Sequence, residues 1–383
     1  MFQGLRFTRP ENSGQYEPLR EEVRAFLKAE RDAGTYRPTG EFGGGFSFDF
    51  SKKLGDRGWI GMTWPKQYGG QDRSFAERYV VSEEMLAAGA PVRAHWTADR
   101  QSGPLLLRYG TEEQKKDILP RICKGEVCFC IGLSEPNSGS DLFSVQTKAV
   151  RTDEGWRING QKIWTSNAHR AHYMVALLRT SPPSEDNRRF GLTQFLVDMK
   201  TPGITVRPII NITGQHDFND VFFDDVLLPH EAAMGEVDQA WKQASAELAY
   251  ERSGPERFLS TYLLLEELVR CHEGTNDARV NEGIGRLVAQ LWTLRQMSLS
   301  VAGMLQAGET PTIEASLVKD IGTNFEKHVP EVARLLRPPR TAQDRARFES
   351  VLALATALAP ALTIRGGTQE ILRGIIARGL GLR

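Results

Sequence analysis

Apolar residues recur along this chain with two different periods, and the order of those periods divides it into three stretches. From about Tyr16 to Cys123 they fall at helical spacing in several segments: Leu19, Val23, Phe26 and Leu27, then Tyr79 to Leu86, then Leu105 to Ile122. Connectors rich in Gly, Pro and Phe join them. From Val127 to about Val226 the segments become short and β-rich, over Val145 to Val150, Trp156 to Ile158, Tyr173 to Leu178, Thr193 to Val197, Ile204 to Pro208 and Val221 to Phe223. From Ala240 onward long helical patterns return, over Gln243 to Cys271, Val280 to Leu305, Ile313 to Leu336, Arg345 to Leu358 and Thr368 to Leu380. The pattern predicts a helical region, an all-β insert and a helical bundle. No internal repeat or low-complexity tract interrupts it.

That order argues against the common nucleotide folds. No alternating series of strands and helices appears, and neither G-x-G-x-x-G nor G-x-x-x-x-G-K-[ST] follows a strand. Gly43-Gly-Gly45 reads as a loop. His230-Glu231-Ala-Ala-Met234 lacks the second His of a zincin helix, and Ser134 lacks a Gly-x-Ser-x-Gly context, so no motif supports a hydrolase.

Composition narrows the class further. At 383 residues the chain is long for one core, so two or three packed units are expected. Lys plus Arg and Asp plus Glu both number 48, so no global field attracts nucleic acid or an anionic membrane, although a local basic pocket for a phosphorylated ligand stays open. Cys123, Cys128, Cys130 and Cys271 do not make a disulfide framework, and Cys128 and Cys130 sit in an apolar run where thiols act as small buried hydrophobes rather than metal ligands. The start, Met1-Phe-Gln-Gly, has no charged n-region before an apolar stretch, so a reducing cytoplasm is the expected setting. Val351 to Ile364 is too short to span a bilayer and contains Pro360, so no membrane insertion is expected.

Two segments carry candidate chemistry. Gly132-Leu-Ser-Glu-Pro-Asn-Ser-Gly-Ser-Asp141 follows the apolar run Val127 to Leu133 and is too rich in Gly, Ser, Asn and Pro to continue as a strand. It should turn at a sheet edge and present hydroxyls and backbone N–H groups to a polar ligand. Lys162-Ile-Trp-Thr-Ser-Asn167 is expected to place an indole and two hydroxyls on a short strand, an apolar face with hydrogen-bonding partners at its edge, as a planar conjugated ring requires. The plain alternative is a Gly/Ser turn and a core tryptophan.

Both segments resemble the acyl-CoA dehydrogenase flavoproteins, and the resemblance runs from roughly Phe26 to Arg383. It includes Arg57-Gly-Trp-Ile-Gly-Met-Thr-Trp-Pro65 with Tyr68-Gly-Gly70, and Gly110-Thr-Glu-Glu-Gln-Lys115 with Leu119-Pro120. Phe222-Phe-Asp-Asp-Val-Leu-Leu-Pro229 and Ile364-Arg-Gly-Gly-Thr-Gln-Glu-Ile371 complete it. The resemblance implies a mainly α fold with a central β-barrel, in three domains: N-terminal helical, residues 1–124; middle β-barrel, 125–233; and C-terminal four-helix bundle, 234–383. It implies FAD as cofactor and α,β-dehydrogenation of an acyl-CoA thioester, with electrons passed to an electron-transfer flavoprotein. Leu133, Ser134, Gly139 and Ser140 would contact the cofactor, Ser140 also the substrate. Trp164 would cover the flavin face away from the substrate, while Thr165 and Ser166 would bond to the pyrimidine end and N5.

In most members the base stands just before the Gly-Thr of the C-terminal motif, and here that position is Gly366. A minority carry it on the first long helix of the C-terminal domain, where this chain has Tyr250-Glu251-Arg252. Glu251 is therefore the candidate base, and Gly366, expected to border the substrate on the opposite wall, would leave space for Glu251 to reach across. A glutamate enclosed beside an acyl chain has a raised pKa, which suits it to cycle between base and acid. Pro255 removes the helical hydrogen bond to the Glu251 carbonyl and should bend the helix. The alternative is a solvated helix charge offsetting Arg252 or Arg257. Arg252 either helps hold the substrate end or pairs with a carboxylate.

Two departures bear on assembly. The Arg-x-x-Phe-Gly and Gln-x-x-Gly-Gly segments, which touch a neighbour's FAD in homotetrameric members, are replaced here by Asn276-Asp-Ala-Arg-Val-Asn-Glu282 and Val332-Ala-Arg-Leu-Leu-Arg-Pro-Pro339. The expected assembly is a homo-oligomer, dimer or tetramer, or a heterotetramer with a related subunit, as in the branch that handles bulky, steroid-like or branched acyl groups. Other readings on the same scaffold are a flavin oxidase and a non-catalytic partner subunit.

Overall fold

A computed structural model describes residues 5–8, 13–240, 252–336 and 341–382. Packing divides the chain into two compact units. One comprises Met1–Phe50, Arg73–Arg93 and Leu248–Arg383, the other Ser51–Asp72 and Ala94–Glu247.

The first unit is helical. Helix α1 (Glu17–Asp32) buries Val23, Phe26 and Leu27, the same face at i, i+3 and i+4. A short α2 (Phe48–Asp56) follows, and its first residues contribute Phe50 to this unit. Helix α3 (Phe75–Ala87) opens with a capping box in which Ser74 and Glu77 satisfy each other's main chain. Between α1 and α3 a buried charge cluster forms: Arg20 contacts Glu83 and Glu84, and Arg295 binds Glu83 through Nε at 2.7 Å and Nη2 at 3.0 Å. The long C-terminal patterns appear as α8 (Ala278–Gln306), α9 (Thr312–Leu335), α10 (Ala342–Leu362) and α11 (Gln369–Gly379). Their core, with α7 (Tyr262–Cys271), includes Phe258, Leu264, Leu268, Leu287, Phe325, Val329 and Phe348.

One predicted helix needs correction. The Gln243 to Cys271 pattern, whose first residues lie outside the described ones, is not continuous. Arg252 is still helical, but the chain then bends, makes a single 3₁₀ turn at Pro255–Arg257 and starts α7 afresh at Tyr262. Gly254-Pro255 explains the break, because proline supplies no N–H and clashes with the preceding turn.

The second unit is built on an eight-stranded sheet in the order β6-β7-β3-β2-β4-β5-β8, with β1 paired to β4. The strands are β1 (Phe129–Gly132), β2 (Lys148–Thr152), β3 (Gly155–Lys162), β4 (Tyr173–Arg179), β5 (Leu192–Asp198), β6 (Ile204–Ile210), β7 (His216–Leu228) and β8 (Ala233–Met234). Most pairs are antiparallel, but β1 runs parallel to β4 in the register Phe129↔Tyr173 to Gly132↔Ala176. β7 alternates buried and less buried residues, and its inward Val221, Phe223 and Val226 pack with Trp156, Ile158, Met174 and Phe195. This unit also holds most of α2, together with α4 (Arg93–Thr97), α5 (Gly103–Tyr109) and α6 (Glu112–Cys123). The helical spacing over Leu105 to Ile122 thus falls into two helices. Gly110 takes an extended conformation, and Thr111 caps α6 through a capping box with Gln114. No helix among the described residues is long and apolar enough to cross a membrane.

Candidate active site

In the sheet unit, a buried ion pair and main-chain bonds stitch the two polar segments together. β1 ends at Gly132, and the chain turns tightly, with Glu135 N donating to Ser138 O at 2.8 Å and Ser138 N to Glu135 O at 3.0 Å. Lys162, the last residue of β3, is 0 % exposed; its Nζ donates to Leu133 O at 3.2 Å and to Glu135 Oε1 at 2.7 Å. Gln146 N donates to the other oxygen, Oε2, at 2.6 Å, and Thr147 N shares Oε1 with Lys162 at 2.9 Å. Ile163 N adds a bond to Ser134 O at 2.9 Å. Burial pushes the Lys162 ammonium down to about 8. Burial alone would raise Glu135, but the Lys162 cation and the donors around it hold that carboxyl below its ordinary value.

Of the predicted cofactor residues, Leu133 packs against the cluster of Val145, Leu177 and Leu192, and Ser134 is half-buried. Gly139 and Ser140 are exposed, and a Cβ built on Gly139 would meet nothing within 4 Å. Trp164 is 57 % exposed, which removes the core-tryptophan alternative. Its φ of 58° lies in the left-handed region, costly for an aromatic residue, and its ring rests edge-on against Phe218 at 6.0 Å. Thr165 is buried, and its Oγ1 has no hydrogen-bond partner among the described residues. Ser166 is exposed. An open indole face, a hydroxyl awaiting a partner beside it and an unobstructed Gly-Ser turn form a set that fits a flat ring with a polar edge and a phosphate-bearing tail.

A second constellation lies in the helical unit. Arg252 is buried and donates from Nε to Gly366 O at 3.3 Å. Glu251 lies outside the described residues, as does Tyr250. Gly366 has φ 69°, and a Cβ there would stand 2.8 Å from Nη2 of the buried Arg257. Any side chain at this position would meet a guanidinium. Arg365 fastens the same loop: its Nη2 reaches Glu256 O at 2.9 Å, Ser260 Oγ at 2.8 Å and Glu326 Oε2 at 2.7 Å. Glu326 is 0 % exposed and also accepts from Ser260 N at 2.9 Å.

The helical, β and helical order of the chain agrees with what known proteins show. The N-terminal, middle and C-terminal domain models of acyl-CoA dehydrogenases match residues 13–126, 130–226 and 274–381. The chain belongs to the acyl-CoA dehydrogenase family. It is 34 % identical over 344 residues to acyl-CoA dehydrogenase IpdE1 of Mycobacterium tuberculosis (strain ATCC 25618 / H37Rv), covering 87 % of each chain. It is 35 % identical over 332 residues to acyl-CoA dehydrogenase FadE34 of the same organism, covering 86 % of this chain and 45 % of FadE34, so it spans less than half of that relative. Among solved structures it is similar to the Tcur3481-Tcur3483 steroid ACAD, with TM-score 0.85, 29 % identity and 99 % of each chain covered. It is also similar to the ChsE4-ChsE5 complex from Mycobacterium tuberculosis, with TM-score 0.82, 27 % identity and 98 % of this chain and 99 % of that one covered.

As a member of this enzyme family, the chain is expected to carry FAD, and the motif residues account for only part of its geometry. Sequence reasoning missed Lys162 as the tie between the two segments and Glu326 as the anchor of the Gly366 loop. A signal for Glu326 was present: Val318, Gly322 and Glu326 recur at i, i+4 and i+8 on the buried side of α9, where a carboxylate among apolar and small residues demands a cation. Lys162 gave no such signal, since a polar residue at a strand end reads as a solvated terminus.

Proposed function

We propose that this chain catalyses FAD-dependent α,β-dehydrogenation of an acyl-CoA thioester to the 2-enoyl-CoA, with Glu251 as the base and electrons leaving to an electron-transfer flavoprotein. The observation that carries the reading is the exposed Trp164 indole beside the partnerless Thr165 hydroxyl, both on the segment that the family uses for its flavin. FAD, when bound, supplies the hydride acceptor. Trp164 offers the ring a stacking face, Thr165 Oγ1 and the exposed Ser166 supply hydrogen bonds to its polar edge, and Leu133, Ser134, Gly139 and Ser140 line the remainder of its path. Donors held in place before reaction favour negative charge developing there at no reorganisation cost.

Glu251 removes the α-proton onto a carboxylate oxygen, while position 366 supplies no competing carboxylate, the place of its side chain being taken by the Arg257 guanidinium. Arg252, tied to the Gly366 carbonyl, fixes the backbone immediately after the base and sets one boundary of the substrate region. Two solved relatives bear on substrate and assembly: one is titled a steroid ACAD of two named polypeptides, the other a ChsE4-ChsE5 complex. They support a bulky or ring-containing acyl group and assembly with a related subunit, which we take to be a heterotetramer; domain boundaries near residues 124 and 233 belong to the same proposal and rest on the family resemblance alone.

The test is single-turnover bleaching of the flavin by a panel of acyl-CoA thioesters under anaerobic conditions. Glu251→Gln should slow bleaching by about 10³-fold, within the range for loss of a positioned base. Unchanged bleaching removes Glu251 from the role, and wild-type protein that binds flavin but is bleached by no thioester favours the non-catalytic partner reading that Gly366 motivates.

A further inference from the structure

The segment Trp164–Asn167 leaves β3 with two residues in the left-handed region, Trp164 at φ 58° and Asn167 at φ 58°. Neither is glycine, so something must hold this backbone in place. The hold comes from β7. Thr165 N donates to Asn219 O at 3.0 Å, Asn219 Nδ2 donates back to Thr165 O at 2.9 Å, and Asn167 N donates to Asp217 O at 3.0 Å. Both main-chain polar groups of Thr165 are thus taken by one residue, once through its backbone and once through its side chain. Asn219 is fully buried, so its amide has no water to exchange with.

The amide is itself oriented from behind. His216 Nε2 lies 2.7 Å from Asn219 Oδ1. Because Nδ2 faces a carbonyl, Oδ1 must accept, and His216 must therefore carry its proton on Nε2. The His216 ring is stacked on His169, with centroids 3.8 Å apart and planes 17° from parallel. His169 belongs to the 3₁₀ turn Ala168–Arg170, just beyond the same segment. The loop that carries Trp164 and Thr165 is therefore clamped to β7 at both ends.

We infer that Asn219, oriented by His216, is the positioning residue of the flavin wall, holding Trp164 in its left-handed turn and aiming the Thr165 hydroxyl at the ring edge. This rests on the flavin reading above. Asn219 touches neither cofactor nor substrate in this role; it acts through Thr165.

The test measures FAD dissociation by flavin fluorescence, the visible absorption of bound flavin and thermal unfolding of the flavin-free chain. Asn219→Asp keeps the shape but turns a donor into an acceptor facing the Thr165 carbonyl. The FAD dissociation constant should rise about tenfold or more, as expected for a buried carbonyl left without its donor, and the visible band should shift. Asn219→Ala should lose at least as much. His216→Leu should weaken FAD binding, and His216→Gln, which retains an N–H toward Oδ1, should recover most of that loss. A purely structural residue would lower the unfolding midpoint in every variant and leave FAD affinity and band shape as in wild type.

A second readout needs no flavin. With 5-fluorotryptophan incorporated, the ¹⁹F resonance of Trp164, assigned by its loss in Trp164→Phe, should move or broaden in Asn219→Asp. Wild-type protein that takes up no FAD overturns the flavin reading. Wild-type and Asn219→Asp protein that bind FAD equally overturn this inference alone, as does an unmoved Trp164 resonance.

Discussion

Each unit buries a carboxylate beneath a motif-bearing loop, and the two are held with very different redundancy. In the sheet unit, Glu135 is met by Lys162 and by the N–H groups of Gln146 and Thr147, so its charge is shared among donors from separate segments. In the helical unit, one nitrogen carries most of the load: Arg365 Nη2 serves the carbonyl of Glu256, the hydroxyl of Ser260 and both oxygens of Glu326. The first arrangement can lose a partner and keep its turn. The second concentrates loop, 3₁₀ turn and α9 on a single guanidinium.

The largest effect should come from testing that asymmetry directly. Arg365→Leu leaves the fully buried Glu326 without its cation, with only the Ser260 N–H named above still donating to it, and releases the loop before Gly366, and should cost about 3–5 kcal/mol of stability in urea unfolding. Lys162→Met leaves Glu135 its two main-chain donors and should cost less, about 2 kcal/mol. Adding Glu135→Gln to the Lys162 variant should restore most of its loss, since both charges are then gone. Adding Glu326→Gln to the Arg365 variant should restore only part, because the bonds to Glu256 O and Ser260 Oγ stay broken. The pair also differs at low pH. Glu135 is held below the ordinary carboxylate value, so its contribution is present above the unfolded pKa and is lost as pH falls through the lower folded one. Lys162→Met should flatten that acid slope. Equal losses in the two single variants would break the comparison.

Glycines in the two loops sharpen it at a smaller scale. Gly366 needs its left-handed backbone, and a methyl group would press on Arg257, so Gly366→Ala should cost about 1–2 kcal/mol in thermal unfolding. Gly139 has open space around its Cβ position and no positive φ, so Gly139→Ala should stay within about 0.5 kcal/mol. If Gly139→Ala proves the costlier, the sheet-unit turn is less self-supporting than its hydrogen bonds imply.

What the sequence made legible follows from how local each signal was. The strands over Tyr173 to Leu178 and Thr193 to Val197 and the helices over Val280 to Leu305 and Ile313 to Leu336 stand within a residue or two of their expected places, because long runs with one period leave little choice. For the break after Arg252 the sequence implies only a bend, since Pro255 announces a fault in a helix but not how far the chain strays before α7 begins. At the candidate site, motif spacing identified the segments bearing Trp164, Thr165 and Gly366. It gave no access to what holds them, because Lys162 with Glu135, Asn219 with Thr165, and Arg365 with Glu326 meet across 27, 54 and 39 positions of chain. Such pairings become visible only when the strand register and helix packing are known.

Cysteines give the smallest and most selective contrast between the units. Burial pushes the Cys123 thiol, on α6 of the sheet unit, up to about 12. Cys271, on α7 of the helical unit, is also raised by burial, but Arg270 beside it pulls the other way. In the unfolded chain both thiols ionise near the ordinary value, so between that value and about 12 the unfolded state holds fewer protons than the folded one. The contribution is therefore intact below the unfolded pKa and drains away as pH rises toward the folded one. For Cys123 this amounts to about 1 kcal/mol between roughly pH 9 and pH 10, following the value of one pKa unit. Urea midpoints across that window should fall less steeply for Cys123→Ala than for wild type, whatever the variant's own cavity cost, because a cavity does not titrate. Cys271→Ala should change the slope less, since the neighbouring guanidinium already stabilises the thiolate in the folded state. Equal flattening by both variants would mean that burial alone governs these thiols and that Arg270 does not separate the helical unit from the sheet unit in this respect.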